Sequence, residues 1–250
     1  MKRPPSRRAS VKDALLVETH LIAANLDGVH LEGAMLSETR LERCTLRGAQ
    51  AEGIMFDGLD LTGTSFSGAV LTDAVFMKCG LDRVDFTEAK LTSATLFGCH
   101  GTGTIFTKAI GKSLRAVEST ELPGADFRGA DLENACLRGT NLAGGNFSEA
   151  RAPLVDFSEC NLTDANLVHL YAREGSFIRA DLTRANLTGA NLYEALLSKA
   201  VLCGTNLTGA SLYQADLAMV RGDADTKLDD TIQVRARIKP LWSDKVQDLD

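Results

Sequence analysis

Leu or Phe returns at every fifth residue from Leu16 to Phe106, and again from Leu122 to Leu217. The exceptions are Ala51 and Gly101 in the first run and Ala152 and Ala172 in the second. Every Phe except Phe97 falls on this period. Two residues ahead of the large side chain stands a small one: Ala34, Cys44, Ala69 and Cys79 early, Ala125, Ala165, Ala185 and Ala200 late. The residue between is often Asp or Asn, as at Asp126, Asn161 and Asn186. Polar residues and Gly follow, as in Arg128-Gly129 and Thr208-Gly209.

A helix buries side chains with a period of about 3.6, and a simple strand with a period of about 2. A strict five is met by a chain that turns a corner every five residues, so that four units form a square coil and the coils stack. Large and small inward residues then share one interior, the small leaving room for the large. Asp, Asn and Gly are expected at the corners, because they tolerate turns and left-handed backbone geometry. The units Ala180-Asp181-Leu182-Thr183-Arg184, Ala185-Asn186-Leu187-Thr188-Gly189 and Ala190-Asn191-Leu192-Tyr193-Glu194 match the pattern A-(D/N)-L-X-X directly. Over residues 14–221 the chain resembles the pentapeptide-repeat family. The resemblance implies an all-β fold, a right-handed quadrilateral β-helix of about ten coils and roughly 45–50 Å in length at a strand spacing of about 4.8 Å. Each repeat contacts only its neighbours, so both ends need caps.

The reading divides the chain into a basic, Pro-containing segment 1–13, a first run 14–106, a register break or loop 107–121, a second run 122–221, and a C-terminal cap or tail 222–250. Phe106 and Leu122 stand one residue further apart than three repeats allow. That predicts a bulge, or a protruding basic loop carrying Lys108, Lys112 and Arg115. Gly111-Lys112-Ser113 has the form of the end of a phosphate-binding loop, but Phe106 stands where that motif needs Gly. Arg7-Arg8-Ala9-Ser10 has the form of a basic-directed kinase site. In the tail, Pro240 excludes one smooth helix, and Leu241 and Trp242 are the candidate cap over the last coil. No apolar stretch is long enough to span a membrane, and no apolar signal-peptide core follows the basic start. The cytoplasm is the expected location.

Chemistry is sparse. Cys44, Cys79, Cys99 and Cys160 take the small inward slot and are expected to fill the core. Cys136 and Cys203 fall at outer positions, and no C-x-x-C occurs. His20, His30, His100 and His169 are scattered. No nucleophile–base pair, carboxylate dyad, metal ligand set or cofactor motif emerges, so no enzyme, cofactor or metal is expected.

The exterior carries the candidates. Residues one coil apart stack, which places Tyr171, Arg173, Tyr193 and Tyr213 on one wall. That wall is either a stabilising ladder, with Arg173 over Tyr193, or an aromatic patch for a protein partner. A second, apolar wall has Met35, Met55 and Val75 before the large residues and Met77 and Phe97 after them. Cys136, Ile178, Leu196 and Met219 are expected to continue it. It suits a homodimer contact, or burial under the N-terminal segment or a loop. The net charge of −6 argues against a protein that neutralises phosphates over a broad surface, so neither nucleic acid nor membrane is an expected partner.

Two functional readings come with the family resemblance. Some family members resemble B-form DNA in width and charge and bind DNA gyrase in its place. Asp27, Glu32, Glu52, Asp57, Asp60, Asp82 and Asp85 fit that idea, but Arg40, Arg43, Arg47, Arg128, Arg138, Arg179 and Arg184 dilute the field. Asn191-Leu192-Tyr193-Glu194-Ala195, Tyr213 through Asp223, and Thr226-Lys227-Leu228-Asp229 resemble the ends of pentapeptide-repeat accessories of bacterial type VI secretion. That implies an accessory that docks an effector or spike component. The expected function is a non-enzymatic protein-binding scaffold or adaptor; the alternative is a DNA-mimicking modulator of topoisomerase.

Overall fold

The computed structural model describes residues 10–231. The chain pairs with itself at a step of one coil. Six short strands, β1 (Leu15–Val17), β2 (Met35–Ser37), β3 (Met55–Asp57), β4 (Val75–Met77), β5 (Thr95–Phe97) and β6 (Arg115–Val117), form one parallel sheet in chain order. The other three sides are columns of isolated parallel bridges, such as His20↔Arg40, Asn25↔Thr45 and His30↔Gln50. Columns spaced five residues apart close a four-sided, all-β parallel solenoid. Each bridging residue bonds in both directions with its neighbouring coil. Arg40 N donates to Thr19 O at 2.8 Å, and Arg40 O accepts from Leu21 N at 2.9 Å.

The periodic residues fill the axis. The on-period Phe rings are buried and form columns. Phe66, Phe86, Phe106, Phe127 and Phe147 stack along one side with centroid spacings of 5.4, 5.1, 4.4 and 4.8 Å. Phe56 and Phe76 stack along the next, 4.8 Å apart, and meet the first column edge-on, as in Phe76–Phe86 at 83°. These are the offset and T-shaped arrangements that ring quadrupoles favour. Where the period carries Ala, a neighbouring slot carries the missing bulk: buried Ile54 follows Ala51, Val155 follows Ala152, and Leu170 precedes Ala172. Gly175 sits above Val155, so closely that a Cβ there would lie 3.2 Å from Val155 Cγ1.

The corners differ from expectation in one respect. The left-handed residue is the second after the large one: Gly129 at φ 61°, and also Arg83 at 52° and Glu88 at 58°. Asp73, Asn134 and Asp164 also take it, at φ 57°, 58° and 58°, but the recurrent Asp and Asn of the repeat stand elsewhere. They precede the large residue, and their side-chain oxygen accepts from the backbone two residues on, as Asn186 Oδ1 does from Thr188 N at 3.1 Å and Asp126 Oδ1 from Arg128 N at 3.0 Å. These are Asx-turns. The following small residue closes the corner, as when Ala130 N donates to Phe127 O at 3.0 Å.

Cys44, Cys79, Cys99 and Cys160 are buried in the small slot, and they do more than fill it. Each thiol donates to the carbonyl of a large residue one coil below: Cys44 to Leu21, Cys79 to Phe56, Cys99 to Phe76 and Cys160 to Leu137. Thr64, Thr104 and Thr205 make the same contact to Leu41, Leu81 and Leu182. Burial pushes the Cys160 thiol up to about 12.

The register break is narrower than 107–121. His100↔Glu121, Ile105↔Asp126, Ile110↔Asp131 and Arg115↔Cys136 all carry one extra residue in the step. The surplus is absorbed at Glu118 and Ser119, consecutive residues with φ of 54° and 56°. Lys108, Lys112 and Arg115 lie on regular coil, with no protruding loop. Winding also extends past both expected limits. Ser10 already bridges His30, and Asn206 bridges Lys227 across a second one-residue insertion. There Asp223 Oδ1 accepts from Gly204 N at 2.8 Å, and Thr226 Oγ1 donates to Leu202 O. Residues 222–231 therefore continue the coil. Leu241 and Trp242, and the Arg7-Arg8-Ala9 run, lie outside the described residues.

Candidate functional site

On the second half of the rod, Tyr171 lies in the bridge column Arg151↔Tyr171↔Asn191↔Ser211. Arg173 follows Ala172 on the same side, and Tyr193 and Tyr213 follow Leu192 and Leu212. The Tyr193 and Tyr213 rings stack at 5.3 Å and 13°. The Arg173 guanidinium carbon sits 4.3 Å from the Tyr193 ring centre, and its Nε lies 3.2 Å from Glu174 Oε1. Desolvation by this stacking, followed by the neighbouring Glu194 charge, holds the Tyr193 phenol above its ordinary pKa. Beside the ladder runs a shallow cleft of about 420 Å³ lined by Leu154, Glu174, Glu194, Leu196, Gln214 and Asp216. Sequence reasoning grouped the three Tyr with Arg173. It missed Leu154, a corner residue at φ 59° and 51% exposed. The signal for it was its place one coil below Glu174.

On the first half, the sheet presents the apolar wall. Met35↔Met55↔Val75 are cross-strand partners on one column, and Met77↔Phe97 on the other. Leu15 and Met35 are 66% and 67% exposed. Leu15, Val17 and Val117 belong to this face and were not singled out by the period, which marks only the buried residue between them. The wall does not continue as expected. Beyond Arg115↔Cys136 the column passes through Asp156 and Ser176 before Leu196, and Met219 stands at a corner with φ 57°. The contiguous apolar surface ends at β6.

Many charges on the second half are paired with one another. Asp164 pairs with Arg184 at 2.6 Å, Glu159 with Arg138 and Arg179, and Asp131 and Glu133 with both Lys112 and Arg151. Among the described residues no group of three His, Cys, Asp or Glu is placed to hold a metal ion. No helix there is long and apolar enough to cross a membrane.

The rod is not solid throughout. At its N-terminal end an apolar cavity of about 130 Å³ lies along the axis, reaching from Leu16 and Leu21 down to Leu41 and Leu46. Leu alone occupies the period in these coils; Phe begins at Phe56. Its lining offers no polar group to a reacting molecule.

A family model described as pentapeptide repeats matches residues 14–50, 55–92, 118–149, 141–177 and 180–218. Among solved structures the chain is similar to HetL, a pentapeptide repeat protein involved in heterocyst differentiation regulation from the cyanobacterium Nostoc sp. strain PCC 7120. The two share 26% identity over 86% of this chain and 87% of that one, with a TM-score of 0.61. It is also similar to QnrB1, a plasmid-mediated fluoroquinolone resistance protein, at 18% identity over 86% of this chain and 92% of that one, with a TM-score of 0.40. No curated protein sequence matches.

Proposed function

The chain belongs to the pentapeptide-repeat family, and from that premise we propose that it is a non-enzymatic scaffold or adaptor of the bacterial cytoplasm that binds protein partners on its flat walls. The Arg173–Tyr193–Tyr213 ladder supports this reading most. Its side chains are large and amphipathic, and they are held by stacking on a rigid backbone beside a cleft. Pre-ordered aromatic and Arg side chains lose little entropy on binding, which is why such residues dominate interface energetics. Fold alone does not assign a partner. The likeness of residues 191–229 to type VI secretion accessories favours an effector or spike component. The test is affinity capture from the native organism with the natural chain and with Tyr193→Ala/Tyr213→Ala. A secretion component is expected with the natural chain and lost with the variant. Recovery of no such protein overturns the secretion assignment, and equal recovery with the variant removes the ladder from the interface.

A further inference from the structure

The β1–β6 face lies away from the Tyr ladder and calls for a different occupant. We propose that it docks one amphipathic α-helix of a partner protein, laid along the rod. This rests on the reading of the chain as a binding scaffold.

The dimensions select the helix. Six strands at about 4.8 Å give a face about 24 Å long, and it is about 10 Å wide. That is well below the ~800 Å² that each partner contributes to a standard stable interface, so two copies packed through this face alone make a poor dimer. A helix about 10 Å across and of about 16 residues covers the same strip. Its turns repeat every ~5.4 Å, close to the strand spacing, so one apolar side chain per turn meets about one strand.

The side chains suit such a guest. The apolar path begins with Leu15, Met35 and Met55 on the column before the buried residues. It then crosses at β4 to Met77, Phe97 and Val117 on the column after them. Met is unbranched and polarizable, and it adapts to ridges of varied shape. Apolar anchors one helical turn apart are the recurring mode of helix recognition.

Charge fixes the direction. Exposed Glu18, Glu38 and Asp57 flank the β1–β3 end, while at the β4–β6 end exposed Lys78 and Arg115 are balanced by exposed Asp73 and Glu118. A helix with its N-terminus toward β1 sets its positive dipole end against this carboxylate excess and its negative end where the charges balance. The preferred guest therefore carries Lys or Arg beside its apolar stripe in the first half, and no net charge in the second.

A synthetic peptide of about 18 residues with that stripe and charge order is the probe, read by fluorescence anisotropy against the full chain. Saturable binding is expected. It should weaken by about tenfold or more with Met55→Glu/Met77→Glu, weaken when the peptide's charge order is reversed, and stay unchanged with Tyr193→Ala/Tyr213→Ala. Circular dichroism of the Met variant is expected to match the natural chain, because these side chains do not fill the core. Absence of binding, or binding indifferent to the Met substitutions, overturns the proposal. So does a dimer in sedimentation that the Met substitutions split, which gives the face to a second copy. Protection of Met35 and Met55 from hydroxyl-radical oxidation in a monomer also overturns it and gives the face to the chain's own segments. Capture of a partner through the Tyr ladder would survive each of those failures, so the scaffold reading is judged separately.

Discussion

Phe106 and Phe127 lie face to face with ring centres 4.4 Å apart and planes within 4°, although the step between them contains the inserted residue. The core column thus keeps its alignment while the backbone absorbs the insertion at Glu118 and Ser119. Phe127→Ala should cost about 3–5 kcal/mol, the usual penalty for emptying a buried aromatic site. Phe127→Leu should cost clearly less, since Leu occupies this slot in most coils. Urea unfolding of both variants measures the difference. Equal losses would mean that ring stacking, not volume, sets the penalty.

The hydroxyl of Thr104 donates to Leu81 O at 2.9 Å inside the core. Thr104→Val keeps the shape and leaves Leu81 O with Val84 N as its remaining donor, at a cost of about 0.5–1.5 kcal/mol, the net worth of one such bond. Thr104→Cys should be milder, because thiols already make this contact at Cys79 and Cys99. Thermal melts of the two variants rank them. A Val variant as stable as the natural chain would reduce the inter-coil bond to a bystander.

Glu149 adopts φ 59°, whereas Gly139 takes φ 69° at the same kind of corner. Left-handed geometry costs a side-chain-bearing residue about 1–2 kcal/mol. Glu149→Gly should therefore be neutral or stabilising despite the looser unfolded chain, and Gly139→Ala should destabilise by about 1 kcal/mol. A Cβ on Gly139 would meet no atom within 4 Å, so that effect reports the backbone alone. Denaturation midpoints decide it; stabilisation by Gly139→Ala would contradict the assignment.

The inward slots were legible because large and small side chains alternate there, and burial enforces the alternation at Leu182 or Ala185 as at Phe56. The role of Asp and Asn was not. A five-residue spacing shows that a corner exists but not which residue turns it, so Asn186 and Gly189 looked equivalent until the Asx-turn separated them. The spacing from Phe106 to Leu122 likewise revealed a surplus residue without saying which one bulges. Leu15 and Val17 escaped notice because a period marks what is buried, whereas an exposed face shows only when adjacent coils are aligned. The axial cavity escaped for a related reason: the sequence shows Leu in every early slot, but not the space that Leu leaves where a Phe stack is absent.

Stability should fall in acid. Arg184 bonded to Asp164, and Arg151 and Lys112 bonded to Glu133, hold both carboxyls below their ordinary pKa values. A depressed folded-state pKa contributes stability that is present above the unfolded value and lost as pH drops through the folded one. The melting temperature is therefore expected to decline from about pH 4 downward, and Asp164→Asn should flatten part of that decline. Each pair is solvent-exposed and its share small, so the comparison belongs at low salt. A melting temperature that rises on acidification across this range would refute the coupling.

A protein that substitutes for duplex DNA needs an unbroken negative wall to face a DNA-binding groove. Here Arg128 lies 2.6 Å from Asp126, Arg184 equally close to Asp164, and Arg151 spans Asp131 and Glu133. At such distances a guanidinium cancels most of the field that its carboxylate would project beyond a Debye length of about 8 Å. The chain is therefore expected to leave gyrase supercoiling unchanged at micromolar concentration. Replacing Arg128, Arg151 and Arg184 together by Gln should unmask Asp126, Asp131, Glu133 and Asp164 and move the protein toward inhibition. If the natural chain inhibits while the triple variant does not, the arginines themselves contact the enzyme and the charge argument fails. Inhibition by the natural chain that strengthens in the variant would instead establish DNA mimicry.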